Sequence, residues 1–187
     1  MAQKPIILKQ QLVAASQLFK VEQLDLVFNN GERRQYERLA GSDVGAVIVV
    51  AMQDDDTVIL IREYAAGKHR YELGLPKGRL DQGETPEQGA NRELKEEIGF
   101  GAKKITWLKS LTLAPAYMGH ETQVILAQDL YPEWLEGDEP EPIEQTTARL
   151  SDLDDWALNG EVSEGRTIAA LYLAKAYMKT QLEKVGD

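Results

Sequence analysis

The 187-residue chain contains no cysteine, which excludes a disulfide framework, a thiolate nucleophile and any Cys-ligated zinc. Histidine occurs only at His69 and His120. They are far apart in the sequence and read as structural or surface residues, so imidazole chemistry has little to draw on. No apolar run approaches the ~20 residues a bilayer-spanning helix needs. The opening Met1-Ala2-Gln3-Lys4-Pro5 lacks the apolar centre of an export signal, so the cytoplasm is the expected address. Positive charge is scarce too: 21 Lys and Arg stand against 31 Asp and Glu, a net charge of −10. Nucleic-acid backbones are bound by neutralising phosphates with Lys and Arg, so neither nucleic acid nor membrane is an expected partner. A small phosphorylated ligand is compatible with this charge if bound cations reverse the local field.

What is present is an ordinary globular balance, 43% hydrophobic and 28% charged. The length suits one main domain with a small N-terminal appendage. Phe19 to Phe28 is rich in β-formers, Asn29-Asn30-Gly31 is a hairpin turn signal, and Glu32 to Leu39 reads as the return strand. Ala40-Gly41-Ser42-Asp43 looks like a boundary, giving an N-terminal β-hairpin subdomain at 1–43 and a main domain at 44–187. Ala46 to Met52 and Thr57 to Ile61 read as buried strands, with further strands expected at Ile105–Leu113, Thr122–Leu130 and Ile143–Leu150. Thr85-Pro86-Glu87-Gln88 is a capping box with Pro at the first helical position, and Gly99 is placed to end that helix. Ser151 to Asp154 opens a short second helix, and Glu164 to about Glu183 a third. Strands interrupted by helices predict an α/β or α+β sandwich.

The segment from Gly78 to Phe100 carries the chemistry. On the predicted helix Glu93, Glu96 and Glu97 are spaced three and four apart, so their carboxylates share a face, while Ala90, Leu94 and Ile98 form a neighbouring apolar stripe. Like charges at that spacing repel by a few tenths of a kcal/mol, and anions in the last turn oppose the helix dipole by roughly 0.3–1 kcal/mol. A divalent cation would turn those costs into attraction, and carboxylate oxygens are the ligands that Mg²⁺ prefers. A solvated charged face is the bland alternative for three glutamates alone. The surrounding pattern argues against it.

Gly78, Glu84, Arg92, Glu93, Leu94, Glu96, Glu97, Gly99 and Phe100 fill every fixed position of the Nudix box. A chance match is roughly 10⁻⁹ per starting position. The chain therefore resembles the Nudix hydrolase superfamily, which implies an α/β/α sandwich around a mixed sheet. The resemblance also implies Glu93 and Glu97 as principal metal ligands, Glu96 as a third or water-bridged one, and the Lys77 carbonyl in the metal shell. It further implies Glu84 and Arg92 as a pair orienting the loop against the helix, and Mg²⁺, replaceable by Mn²⁺, as the cofactor.

Outside the box the chain is similar to the ADP-ribose pyrophosphatase group and, within it, to hydrolases of ADP compounds. The similarity is carried by Ile61-Arg62-Glu63-Tyr64, Tyr71-Glu72-Leu73-Gly74, Ala90 to Gly101 and Ala127 to Pro142. It implies cleavage of a pyrophosphate bond in ADP-ribose or diadenosine polyphosphates, with release of AMP; the Trp/Pro/Phe motif of NADH pyrophosphatases is absent, which leaves NADH at most a secondary substrate. Pro115, fifteen residues after Phe100, marks the ADP-ribose-cleaving members, whereas Tyr117 and Pro76-Lys77-Gly78 resemble diadenosine polyphosphate hydrolases. The acidic stretch from Glu136 to Pro142 lies where this group carries its catalytic glutamate, giving Glu141, ahead of Glu139, as general base. Arg62 and Arg38, with Pro115 and Tyr117, are the expected substrate contacts. The N-terminal hairpin implies a homodimer. Two alternatives stay open: a Nudix-fold module that senses a ligand without turnover, and a Nudix hydrolase of another nucleoside diphosphate sugar. A plain calcium-binding acidic protein finds no EF-hand loop to support it.

Overall fold

A computed structural model of the protein describes residues 3–41 and 44–185. Ser42 and Asp43, within the expected boundary, and Met1-Ala2, read above for an export signal, lie outside the described residues. Among those described, no helix is long and apolar enough to cross a membrane. The chain divides into two compact units: Met1–Gly45 with Thr112–Glu121, and Ala46–Leu111 with Thr122–Asp187.

The first unit is an antiparallel sheet of β1 (Ile6–Ala15), β2 (Lys20–Val27) and β3 (Arg33–Leu39), in that order. β2 and β3 form the hairpin that Asn29-Asn30-Gly31 predicts, pairing Val27 with Arg33. β1 is an addition that sequence patterning does not announce. Register shifts between Ile7 and Lys9 and between Leu12 and Ala14 break the two-residue alternation on which such a reading depends. The segment Thr112–Glu121 returns to this sheet, where the Leu39 amide donates to the Tyr117 carbonyl (2.8 Å) and the Gly119 amide to the Leu39 carbonyl (3.3 Å).

The larger unit holds β4 (Ala46–Met52), β5 (Thr57–Ala65), β6 (Arg70–Gly74), β7 (Lys77–Arg79), β8 (Phe100–Thr112), β9 (Glu121–Pro132) and β10 (Glu144–Arg149). Its helices are α1 (Pro86–Glu97), α2 (Leu153–Asn159), which follows a 3-10 turn at Leu150–Asp152, and α3 (Gly165–Val185). The sheet runs β10-β5-β4-β9-β8 and is mixed, with β4 parallel to β9 and antiparallel to β5. β4 is fully buried from Val47 to Ala51. Ile48, Val50 and Met52 join Leu153, Ala170, Leu171 and Ala174 in one core, which places α2 and α3 on that face. α1 also packs against β4, burying Ala90, Leu94 and Ile98. A strand covered on both sides reads as the continuous apolar run AVIVVAM.

Two short strands escaped the sequence reading, and both matter for the site. β6 pairs with β5, and β7 pairs with the first half of β4, where Ala46–Ile48 face Lys77–Arg79; β5 takes the far end at Ala51 and Met52. The sheet thus forks along β4 and brings Lys77 and Gly78 beside α1. Five and three residues, bounded by Gly74 and Pro76, are too short to show a period; non-local pairing creates them.

Candidate active site

The sequence starts and stops α1 by identifiable chemistry. Thr85 Oγ1 accepts from the Gln88 amide (3.2 Å) while Gln88 Oε1 accepts from the Thr85 amide (2.9 Å), so two otherwise orphan donors are satisfied. Pro86 occupies the first turn. Gly99, at φ 73°, takes the left-handed turn after the helix, where a side chain would be strained.

Between those ends Glu93 and Glu97 are buried, 8% and 5% exposed, while Glu96 is partly exposed. Burial raises the proton affinity of both buried carboxyls, Glu93 to about 7 despite the adjacent Arg92, and Glu97 to about 9 with help from the negative charge of Glu93. The Lys77 amide donates to Glu97 Oε2 (3.1 Å), and the Lys77 ammonium pairs with Glu63. At Gly78 the approach is so close that a Cβ would collide with the Glu93 carboxylate.

Arg92 knits the box together. It reaches both Glu84 oxygens at 3.0 Å, the Arg79 carbonyl at 2.9 Å, and Glu93 Oε1 and Glu96 Oε2 at 2.8 Å each. Glu84 in turn accepts from the Asp81 amide (2.9 Å), which ties the loop to the helix. Among the described residues no three acidic or histidine side chains converge as a formed metal cluster. Arg92 lies between Glu93 and Glu96, and Glu97 is turned toward β7. The donor set nevertheless fits a hard divalent cation. It offers buried carboxylate oxygens with more negative charge than one guanidinium balances, next to a glycine cradle.

The acidic loop after β9 closes the other side. The Leu135 amide donates to the Lys95 carbonyl (3.2 Å), the Glu133 amide to the Gly99 carbonyl (3.1 Å), and Gln145 Nε2 to the Ile98 carbonyl (3.3 Å). The loop and the start of β10 therefore supply donors that the end of α1 lacks. Glu139 and Glu141 line one cavity with Glu96 and Glu97, and a second with Arg62, Glu63 and Tyr71. Partial burial and the facing charge of Glu63 hold the Glu139 carboxyl above its ordinary range. Glu141 instead accepts a hydrogen bond from the Tyr71 hydroxyl.

Residues 43–171 match the model of the NUDIX domain, and residues 5–38 match that of the NudE-type Nudix hydrolase N-terminal domain. The chain belongs to the Nudix hydrolase family. It is 49% identical, over 96% of each chain, to the ADP compounds hydrolase NudE of Escherichia coli. An ADP-ribose pyrophosphatase of Bacillus subtilis is 29% identical over 95% of this chain and 98% of its own. A crystal structure of an ADP compounds hydrolase superposes with a TM-score of 0.90 at 49% identity, covering 97% of both chains. This Nudix protein is accordingly an enzyme, and hydrolases of the family work with a divalent cation.

The larger unit brings Glu93, Glu96, Glu97, Lys77, Gly78, Glu84 and Arg92 together, with Glu139 and Glu141 at the adjoining cavity. Arg62 lines the second cavity, its guanidinium 2.7 Å from Glu161 and 3.8 Å from Glu144. Arg38, Pro115 and Tyr117 belong to the other unit, where Arg38 pairs with Glu22 at 2.9 Å and Tyr117 is exposed. Sequence reasoning missed Glu63 and Tyr71 as site residues. Both lie in segments quoted for the resemblance, but only the β5–β6 pairing shows that they border the acidic loop.

Proposed function

We propose that this Nudix enzyme hydrolyses the pyrophosphate bond of ADP-linked compounds, namely ADP-ribose and diadenosine polyphosphates, with NADH as a secondary substrate, releasing AMP. Mg²⁺ is the proposed cofactor, with Mn²⁺ able to replace it. The observation that carries the reading is the pair of buried carboxylates, Glu93 and Glu97, packed against the Gly78 cradle and bordered by a second, loop-borne set of carboxylates. The names of the relatives supply the substrate class.

Glu93 and Glu97 would hold the metal, with Glu96 and the Lys77 carbonyl completing its protein ligands. A divalent ion held there would supply charge neutralisation for the pyrophosphate and acidification of an attacking water. Arg92 holds Glu93 and Glu96 in place and Glu84 holds Arg92, so the box residues act as one positioned unit. A carboxylate of the acidic loop takes the proton from water. Two observations favour Glu139 for that step over Glu141. Its proton affinity is raised, and Glu141 is already engaged by Tyr71. Arg62 stands at the wall of the adjoining cavity, its charge already balanced by Glu161 and Glu144, and would contact an uncharged substrate oxygen there.

A homodimer built through the N-terminal sheet completes the reading. Ile6, Leu8, Leu12, Leu18 and Phe19 are all more than half exposed, an apolar surface that invites a second copy. Sedimentation should give twice the monomer mass at micromolar concentration.

The functional test is a panel of ADP-ribose, diadenosine triphosphate, NADH, FAD and GDP-mannose with Mg²⁺, products resolved by chromatography. AMP released from the first three is the expected result. Faster turnover of GDP-mannose, or no AMP from any ADP compound, would overturn the assignment.

A further inference from the structure

Next to the catalytic carboxylates the β5–β6 hairpin carries a cavity whose aromatic wall the proposed reaction does not use. Tyr64 and Tyr71 are directly opposed partners in the hairpin, their rings edge to face with centroids 5.8 Å apart. They are 46% and 50% exposed, so neither closes a core, and Tyr64 also meets the His69 ring edge to face at 5.9 Å. Both hydroxyls are committed, Tyr64 Oη to His69 Nδ1 (2.7 Å) and Tyr71 Oη to Glu141, which fixes the rings and leaves their faces as the available chemistry. The cavity, of about 280 Å³, is bounded by Glu139–Ile143. The same loop walls the cavity over Glu96 and Glu97, so the two spaces adjoin.

Charge selects the occupant. Glu63, Glu139, Glu141 and Glu144 line this cavity against a single guanidinium, that of Arg62, which Glu161 and Glu144 already balance. An anionic group would be repelled. A planar ring without negative charge offers a π face to the tyrosines and N–H donors to the carboxylates. Resting on the reading that the enzyme cleaves ADP-linked pyrophosphates, we propose that Tyr64 and Tyr71 form a subsite for a second aromatic ring carried beyond the pyrophosphate. That ring is the base of a second nucleoside or a nicotinamide, and the subsite raises the preference for dinucleotides over ADP-ribose, which offers only a sugar there.

Tyr64 is the cleaner probe, because Tyr71 also holds Glu141. kcat/KM is measured with diadenosine triphosphate, NADH and ADP-ribose for the wild type, Tyr64→Leu and Tyr64→Phe. Tyr64→Leu should lower the dinucleotide-to-ADP-ribose ratio about tenfold, the order expected for one lost base–aromatic stack, mainly through KM. Tyr64→Phe keeps the ring and should keep the ratio. A fall confined to diadenosine triphosphate assigns the subsite to a second adenine, and one confined to NADH assigns it to nicotinamide. A ratio unmoved by Tyr64→Leu, including an equal loss on all three substrates, overturns the subsite. Tyr64→Thr, also suited to a strand, gives the same readout if the Leu variant does not fold. A wild type releasing AMP from none of the three overturns the functional reading itself, whereas an active wild type with an unmoved ratio overturns only the subsite.

Discussion

Glu93 and Glu97 sit on a capped helix, buried against the forked sheet, whereas Glu139 and Glu141 ride an exposed loop anchored at the end of that same helix. The functional group is identical and the surroundings are opposite. On the helix, burial makes the charged form costly and a cation welcome. On the loop, partial burial and the facing charge of Glu63 raise the Glu139 carboxyl, while Glu141 accepts a hydrogen bond from Tyr71. A ligand must be rigid and a base must reach water, so division between a packed helix and an anchored loop suits the two tasks.

Breaking the helix set should cost most. Glu97→Gln removes a proposed ligand without removing a core contact, and nearly all activity should be lost, about four orders of magnitude or more in kcat/KM, with the circular dichroism unchanged. Glu96→Gln, on the partly exposed side, should cost less. Wild-type turnover by Glu97→Gln would contradict the ligand assignment. The loop comes next. Glu139→Gln should lower kcat by about 10²–10⁴ with little change in KM, and higher pH should partly restore it as hydroxide replaces the base. If Glu141→Gln shows that signature and Glu139→Gln does not, the roles are exchanged; if both remain near wild type, the loop holds no base. The anchor between the two regions should matter least. Lys95 pairs with Glu133 at 2.8 Å, their side chains 16% and 43% exposed, so Lys95→Ala should shift stability by only about 1 kcal/mol in a denaturant titration. A much larger loss would mean that the side-chain pair, and not the backbone bonds, holds the loop.

Much of the helix was legible in the sequence because its determinants are local. Thr85 and Gln88 three residues apart, Gly99 at the end and glutamates at helical spacing each state their role within a turn or two. β4 was legible for a related reason, since burial on both faces leaves an uninterrupted apolar run. The surroundings were hidden because they are non-local. β7 exists through its pairing with β4, and that pairing brings the Lys77 amide to Glu97, twenty positions away in sequence. Tyr71 meets Glu141 across seventy positions, a contact no periodicity encodes. β1 was hidden by its own bulges.

In the proposed metal site, Glu93 and Glu97 are held ready for a cation at the expense of the metal-free fold. Their carboxyls release protons at about 7 and about 9 in the folded protein, above the ordinary value of 4.5. A carboxyl raised in this way favours the folded state below its ordinary value, and that contribution is lost as pH rises through the folded values. Melting temperatures in EDTA should therefore fall between about pH 5 and pH 9, and Mg²⁺ should restore more at the alkaline end, because binding needs the deprotonated pair. In Glu97→Gln both the alkaline decline and the Mg²⁺ gain should shrink. Melting curves in which Mg²⁺ stabilises wild type and Glu97→Gln equally at every pH would contradict this role for the pair.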